Sequence, residues 1–384
     1  MPRDRSSWRW RRIIRAPTRC APCCCATAPA DRAACRTDSQ NATQDAGTPR
    51  ALKTSRRPVT GRPMQIERSV VHPQPRLSVV IPAHNALRWL PGAIASLGVF
   101  GEIEILVVDD GSQDGTGDYL RGIAASDRRV RPLATTAAGP AAARNVGLAA
   151  AQAPLVAFLD ADDRWRRGKM AAQMELHRLY PDIGFSFTDH RRFAEDGTEL
   201  ATGFGRCRAF AARHSMRREA FILHRDAQAA IYAEPVVATS TVMAQTALLR
   251  AVGGFNEQLR RAEDWDLWLH LAACAPVGCL PRSLADRLVR AVDPEGPEGQ
   301  ARRIARRRVA EAYALPVSQL DADAVQQCRT SQLALEADGA ALAGLRVQAA
   351  MLRLSAFAQQ PSGKMARAAA RDLFGMRSLD QRVP

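Results

Sequence analysis

From residue 77 onward, short apolar runs alternate with polar turns and with apolar stripes at helical spacing. Leu77-Ser78-Val79-Val80-Ile81 reads as a strand stopped by Pro82, with Ala83-His84-Asn85 as its turn. The pattern predicts a helix over about 87–97, with Leu90, Ile94 and Leu97 on one face. Ile103 to Val108 is a second apolar strand and ends in Asp109-Asp110-Gly111-Ser112-Gln113-Asp114-Gly115-Thr116. A helix over 114–125 and a short strand over 130–133 come next, and Gly139-Pro140 opens a further helix, as helix starts favour. Strands that end in polar turns before helices are βαβ units, so the expectation is an α/β fold with parallel strands and right-handed crossovers.

The next run, Leu155-Val156-Ala157-Phe158-Leu159, fits a strand buried on both faces, and Asp160-Ala161-Asp162-Asp163 follows at its C-terminal end. Ligands of open α/β sheets bind beyond the carboxyl ends of strands, so these carboxylates sit where a site is expected. Carboxylates this close repel one another. A hard divalent cation relieves them, typically through one or two carboxylates plus the phosphate oxygens of a substrate. An Asp-rich turn that caps the next helix would produce the same letters.

Downstream, the pattern predicts a helix over 165–180 and a strand over 183–188 that ends in Asp189-His190. Residues 191–233 are weakly periodic and read as loops and helix able to shape an acceptor pocket. The β-branched run Val236 to Met243 reads as a strand, followed by a short helix to Arg250. Glu263-Asp264-Trp265-Asp266-Leu267-Trp268-Leu269 opens an amphipathic helix; Trp265 and Trp268, at helical spacing, read as core ahead of a stacking platform. Beyond about Pro294 the composition shifts to Ala, Arg, Leu and Gln, with helices expected over 302–313, 322–357 and 364–374. This tail reads as a helical cap, with a membrane-surface or partner-binding helix as the alternative.

Composition changes the picture mainly at the N-terminus. Of a net charge of +15, residues 1–63 hold +10, with 14 Lys and Arg against 4 acids, so the remainder is only mildly basic and no nucleic-acid partner is expected. Residues 1–72 lack periodicity and read as a disordered basic Arg/Ala/Cys-rich segment. A targeting arm, a nucleic-acid arm and a stretch upstream of the true start compete as its explanation; the last, with translation starting at Met64, is preferred. Five of nine cysteines fall there (Cys20, Cys23, Cys24, Cys25, Cys35), without the second pair or histidines that a zinc site needs. No apolar run approaches the ~18 residues of a membrane span. The expected organisation is therefore 1–72, a catalytic α/β domain over 73–293, and a helical extension over 294–384.

Taken together and in order, five motifs resemble the inverting family 2 glycosyltransferases of the GT-A fold. They are Val79-Val80-Ile81-Pro82-Ala83-His84-Asn85, the Asp-rich turn at 107–116, Gly139 to Gly147, Phe158 to Asp163, and Val252 to Glu257 followed by Glu263 to Trp268. The resemblance implies a GT-A nucleotide-sugar-binding fold with a mostly parallel central sheet flanked by helices. It implies that Pro82, His84, Asn85, Asp109, Asp110, Arg144 and Asp160 face the nucleotide-sugar. Asp110 would contact the base, with a turn that caps the following helix as its alternative; for Asp109 the capping turn is preferred. His84 stands where many members carry Tyr. Arg144 would neutralise the diphosphate or bridge to the acidic cluster. Asp162 would hold Mn²⁺ or Mg²⁺, with Asp163 in support. Asp264 would be the base that activates the acceptor hydroxyl, with Glu263 as its alternative. The implied function is metal-dependent transfer of a sugar from a nucleotide-sugar to a glycan or lipid-linked acceptor in bacterial cell-envelope polysaccharide synthesis, in the cytoplasm near the inner face of the membrane. The competing reading is a non-catalytic protein that keeps the fold to bind a sugar-nucleotide or a partner.

Overall fold

The computed structural model describes residues 74–374, apart from 215, 216, 218, 294, 295, 360 and 362. The readings of residues 1–72, of a start at Met64 and of the N-terminal cysteines lie outside them. Strands β1 (Leu77–Ala83), β2 (Ile103–Asp110), β3 (Val130–Thr135) and β4 (Leu155–Phe158) run parallel in the order β3-β2-β1-β4. Their side chains obey the two-residue period of a strand. Val79, Ile81, Ile105, Val107 and Ala157 fall in one buried cluster, while Val80, Leu106, Val156 and Phe158 fall in another. Each run is therefore apolar throughout because both faces are covered.

Beyond β4 the sheet changes character. Strand β9 (Met243–Gln245) is antiparallel to both β4 and β6 (Phe185–Ala194), and β6 pairs in parallel with the long β10 (Val277–Val289). Short strands β5 (Arg164–Trp165), β7 (Glu199–Leu200) and β8 (Phe221–Leu223) add antiparallel pairs at the periphery. The sheet is parallel at its N-terminal end, as the βαβ pattern predicts, and mixed beyond it.

Several local expectations are corrected. The run 236–243 is not a continuous strand: Thr239–Thr241 forms a 3₁₀ turn in which the Thr241 hydroxyl donates to the Ala238 carbonyl at 2.6 Å, so side chains satisfy the backbone in place of a ladder. Asp189 and His190 do not end a strand, because β6 stays paired with β10 as far as Ala194. The helix expected from 165 starts at Lys169, since Trp165 belongs to β5 and Gly168 turns the chain at φ 90°. The expected helix over 322–357 is two, Ala324–Leu342 and Arg346–Gln359, broken at Gly344 in the left-handed region at φ 79°. Among the described residues after 296 the chain is mainly helical, and Val309, Val317, Ala324 and Cys328 enter the same buried cluster as Phe187, Tyr232 and Trp268. Among the described residues no helix is long and apolar enough to cross a membrane.

Candidate functional site

The carboxyl ends of β1, β2 and β4 open onto a cleft of about 830 Å³. The turn after β1 is laced to the turn after β2. Asn85, in the left-handed region at φ 48°, accepts from the Gln113 N–H through Oδ1 at 2.8 Å, and its own N–H donates to Ser112 Oγ at 2.9 Å. Asp114 accepts from the Leu87 N–H at 3.0 Å and from the Thr116 hydroxyl at 2.6 Å, and these bonds, the hydroxyl foremost, hold its carboxyl below the usual range. Most of the Asp-rich turn is thus architecture. Asp109 accepts from the Ser112 N–H at 3.0 Å and does not line the cleft. Buried Asp110 accepts from the Ala138 and Gly139 N–H groups, each at 2.8 Å, which fixes the start of α3 (Pro140–Ala150). His84 Nδ1 lies 2.7 Å from the Asp110 carbonyl, and a carbonyl only accepts, so the proton is on Nδ1 and Nε2 is left to accept from Asn85 Nδ2 at 3.2 Å.

Helix α3 carries two residues that tie the halves of the cleft together. Arg144, 5% exposed, donates from Nη1 to Glu263 Oε1 and from Nη2 to Asp160 Oδ1, both at 2.8 Å. Burial opposes its charge, but Asp160 and then Glu263 more than offset that, and its pKa is raised. The guanidinium also lies over the Phe255 ring, 5.3 Å from its centroid, and its Nε is buried without a hydrogen bond. Asn145 clamps the backbone of Phe255 from both sides, accepting from its N–H at 2.8 Å and donating to its carbonyl at 2.9 Å. The Arg-Asn pair of one motif is therefore the support for the Gly-Gly-Phe-Asn-Glu turn of another.

At the end of β4 the three aspartates part company. Asp160 faces Arg144. Asp162 pairs through Oδ2 with Arg290 at 2.8 Å, while burial and the neighbouring Asp160 charge raise its pKa. Asp163 caps no helix: it is buried, accepts from the Ser240 hydroxyl at 2.6 Å and from the Leu288 N–H at 3.0 Å, and burial first and Asp160 next push its pKa up. It binds the acidic turn to the 3₁₀ turn and to β10. Among the described residues no set of three or more His, Cys, Asp or Glu side chains could hold a metal ion unaided. Two hard carboxylates side by side at the end of a strand nevertheless suit a divalent cation whose remaining ligands come from phosphate.

Across the cleft, Glu263 and Asp264 begin α9 (Glu263–Cys274), just after Ala262 in the left-handed region at φ 62°. Glu263 is buried and committed to Arg144; burial, then Asp264, pushes its pKa up against Arg144. Asp264 is half-buried, with Oδ2 accepting from the Thr239 hydroxyl at 2.9 Å. Trp268 is core at 0% exposure, whereas Trp265 lines the cleft and stacks on Tyr232 with centroids 5.8 Å apart. The cleft thus gathers Pro82, His84, Asn85, Asp110, Arg144, Asp160, Asp162, Glu263 and Asp264, leaving out Asp109. Sequence reasoning missed Thr239, Arg287, Arg290, Arg302 and Arg306, which also line it. Arg287 comes from β10, Arg290 follows directly after it, and Arg302 and Arg306 come from α10 (Pro297–Leu320); the spacing 302/306 was their only signal.

A family model described as glycosyl transferase family 2 matches residues 78–227. Residues 78–227 belong to that family. An uncharacterized glycosyltransferase of Rickettsia felis is 30% identical over 212 residues, 55% of this chain and 32% of that protein. TuaG of Bacillus subtilis, a glycosyltransferase whose name places it provisionally in teichuronic acid biosynthesis, is 36% identical over 130 residues, 33% of this chain and 51% of that protein. The chain thus spans between about a third and a half of the length of these relatives. Among solved structures, Staphylococcus aureus TarS 1–349 in complex with UDP-GlcNAc superposes with a TM-score of 0.52 at 19% identity, covering 78% of this chain and 88% of that one. That likeness carries the fold alone, a GT-A fold with a helical C-terminal region.

Proposed function

We propose that the protein is a metal-dependent inverting glycosyltransferase that moves a sugar from a nucleotide-sugar to a glycan or lipid-linked acceptor in cell-envelope polysaccharide synthesis. The observation that carries this reading is that Asp160 and Asp162, at the end of β4, share one cleft with Asp264, and that Arg144 bonds Asp160 on one side and Glu263 on the other.

In this reading the nucleotide lies along Pro82, His84, Asn85 and Asp110, with the diphosphate toward Asp160 and Asp162. A Mn²⁺ or Mg²⁺ held by Asp162 would offset charge on the departing diphosphate as a Lewis acid. Asp264 is the better placed of the two candidate bases: Glu263 is buried against Arg144, whereas Asp264 faces the cleft and the Thr239 hydroxyl fixes its orientation. Its carboxylate takes the acceptor hydroxyl's proton as the hydroxyl oxygen bonds to the anomeric carbon. The bond from that carbon to the diphosphate oxygen breaks on the opposite face, its electron pair leaves with the phosphate, and the configuration inverts. A positioned base contributes ~10²–10⁴-fold.

The test is calorimetric titration of the full-length protein with UDP, GDP, dTDP and CMP, with and without Mn²⁺, alongside hydrolysis of the matching nucleotide-sugars. Metal-dependent binding of one nucleotide is expected. Asp162→Asn should abolish it, and Asp264→Asn should retain it while turnover falls by about the factor above. No nucleotide binding by the folded protein would overturn the reading, and loss of binding in Asp264→Asn would overturn the assignment of the base.

A further inference from the structure

The wall of the cleft built by the turns after β1, β2 and β3 and by the start of α3 contributes one arginine, Arg144, and both of its terminal nitrogens are already bonded to carboxylates. Six others line the cleft, Arg206, Arg261, Arg287, Arg290, Arg302 and Arg306, and of these Arg290 stands over the Trp89 ring, 4.7 Å from its centroid, beside the nucleotide turns. Arg290 pairs with Asp162, Arg206 with Asp338, and Arg261 and Arg302 share the single carboxylate of Glu298. Arg287 and Arg306 have no ion pair among the described residues. Arg302 and Arg306 stand four residues apart on α10, on one face of the helix. Burial, and after it the adjacent Arg302 charge, brings Arg306 down to about 10, while Asp264 acts in the opposite direction. This is cationic charge that the fold itself leaves unneutralised, gathered beside the candidate base.

The trough does not stop there. Arg206, Pro235, Ser331 and Leu335 line both this cleft and a second one of about 930 Å³, which runs between β7 and the C-terminal helices. Within it Arg192 is buried with its Nε unbonded. Arg206 thus stands where the cleft that holds the candidate base meets the second.

Building on the transferase reading, we infer that the acceptor is a glycan bearing fixed negative charge, phosphodiester or carboxylate, which Arg302 and Arg306 bind beside Asp264 with its outer units in the second cleft. Anions on a sugar chain would supply the missing counter-charge, and arginine offers them a bidentate, charge-assisted contact. The donor diphosphate is the competing explanation of the cations. It accounts for Arg290, which pairs with Asp162 beside Trp89, but not for Arg302 and Arg306, which come from α10 and interact with Asp264.

The test uses the full-length protein and three probes: a glycerol phosphate hexamer, a galacturonate hexamer and maltohexaose, titrated calorimetrically with and without excess UDP. A charged oligomer should bind about tenfold or more tightly than maltohexaose, and should do so with UDP present. Which charged oligomer binds better distinguishes phosphodiester from carboxylate. Arg306→Gln and, at an exposed position that cannot unfold the chain, Arg302→Gln should each weaken that binding about tenfold and leave UDP binding unchanged. Arg308→Gln, on the exposed side of the same helix, should change neither. Equal binding of maltohexaose, an equal loss in Arg308→Gln, or loss of UDP binding in place of oligomer binding in Arg302→Gln would each overturn the inference. Retained oligomer binding at Arg306 with no nucleotide bound would instead sink the transferase reading alone.

Discussion

Replacing Arg144 by Met isolates what holds the two halves of the cleft together. The guanidinium spans Asp160 and Glu263 at 2.8 Å each, and the Glu263 side chain is 9% exposed against 27% for Asp160. Removing one member of a buried ion pair costs ~3–5 kcal/mol, because the other charge stays buried without a partner. Asp160, closer to solvent, adds little, and the contact with Phe255 accounts for ~0.5–1 kcal/mol. The expected loss is about 4 kcal/mol, or roughly 8–16 °C in melting temperature at ~2–4 °C per kcal/mol for a domain of this class. The loss should also depend on pH. Without Arg144 the Glu263 pKa, already raised by burial and by Asp264, rises further above its unfolded value. A carboxyl raised in the folded state gives up stability as pH rises above its unfolded pKa, so the gap between variant and wild type should widen as pH rises above the ordinary carboxylate range. Adding Glu263→Gln to Arg144→Met should recover most of the loss and flatten that dependence. Urea denaturation of the four proteins across pH measures all three quantities. A cost under about 1 kcal/mol, a gap indifferent to pH, or strict additivity in the double mutant would refute the reasoning.

Gly254 sits at φ 72°, and a Cβ there would lie 2.5 Å from Asn145 Oδ1, while neighbouring Gly253 at φ 87° has open space. Gly254→Ala should therefore cost about 2–4 kcal/mol, and Gly253→Ala only the left-handed strain of about 1 kcal/mol; equal losses by denaturation would contradict this. Buried His177, whose Nε2 donates to the Met243 carbonyl at 3.2 Å, is kept neutral, with burial taking it down to about 4. A histidine lowered in the folded state is stabilising above its unfolded pKa of ~6.5, and that stability is lost as pH falls toward about 4, on the order of 3 kcal/mol in all. His177→Gln should flatten the acid limb of the stability profile between those values, and an unchanged limb would assign it to other groups.

How much of this was legible in sequence depended on the range of the interaction. β1, β2 and β4 were legible because both faces are buried and the apolar run has no other use. β10 was not: Pro281 interrupts it and its register shifts between Leu280 and Ser283 and again before Ala285, which erases the alternation. Thr239-Ser240-Thr241 looked like strand because β-branched residues favour strands, but the hydroxyls serve Ala238, Asp163 and Asp264 instead. Candidate residues within motifs came together in one cleft, since motif spacing records turns at strand ends. What the spacing could not convey was that Asp109 and Asp114 are spent on lacing loops, or that α10, distant in sequence, delivers arginines to the same cleft.

Backbone strain marks the same place by an independent route. Among the described residues Asn85, Ala137 and Ala262 are the non-glycine positions with positive φ, at 48°, 48° and 62°, and all three line the cleft. Such conformations cost of order 1 kcal/mol or more each and persist only where the surroundings over-determine them. At Asn85 the constraint is visible as the bonds to Ser112 and Gln113. At Ala262 it is the helix that follows, whose first residue must meet Arg144 while its second faces the open cleft. An αL residue directly before Glu263 is what lets adjacent carboxylates serve different partners, one closing the bridge to β4 and the next left toward solvent. Strain at Ala262 and the buried bridge at Arg144 are thus two sides of one constraint, because relaxing the turn would draw Glu263 off Arg144 and release Asp160 with it.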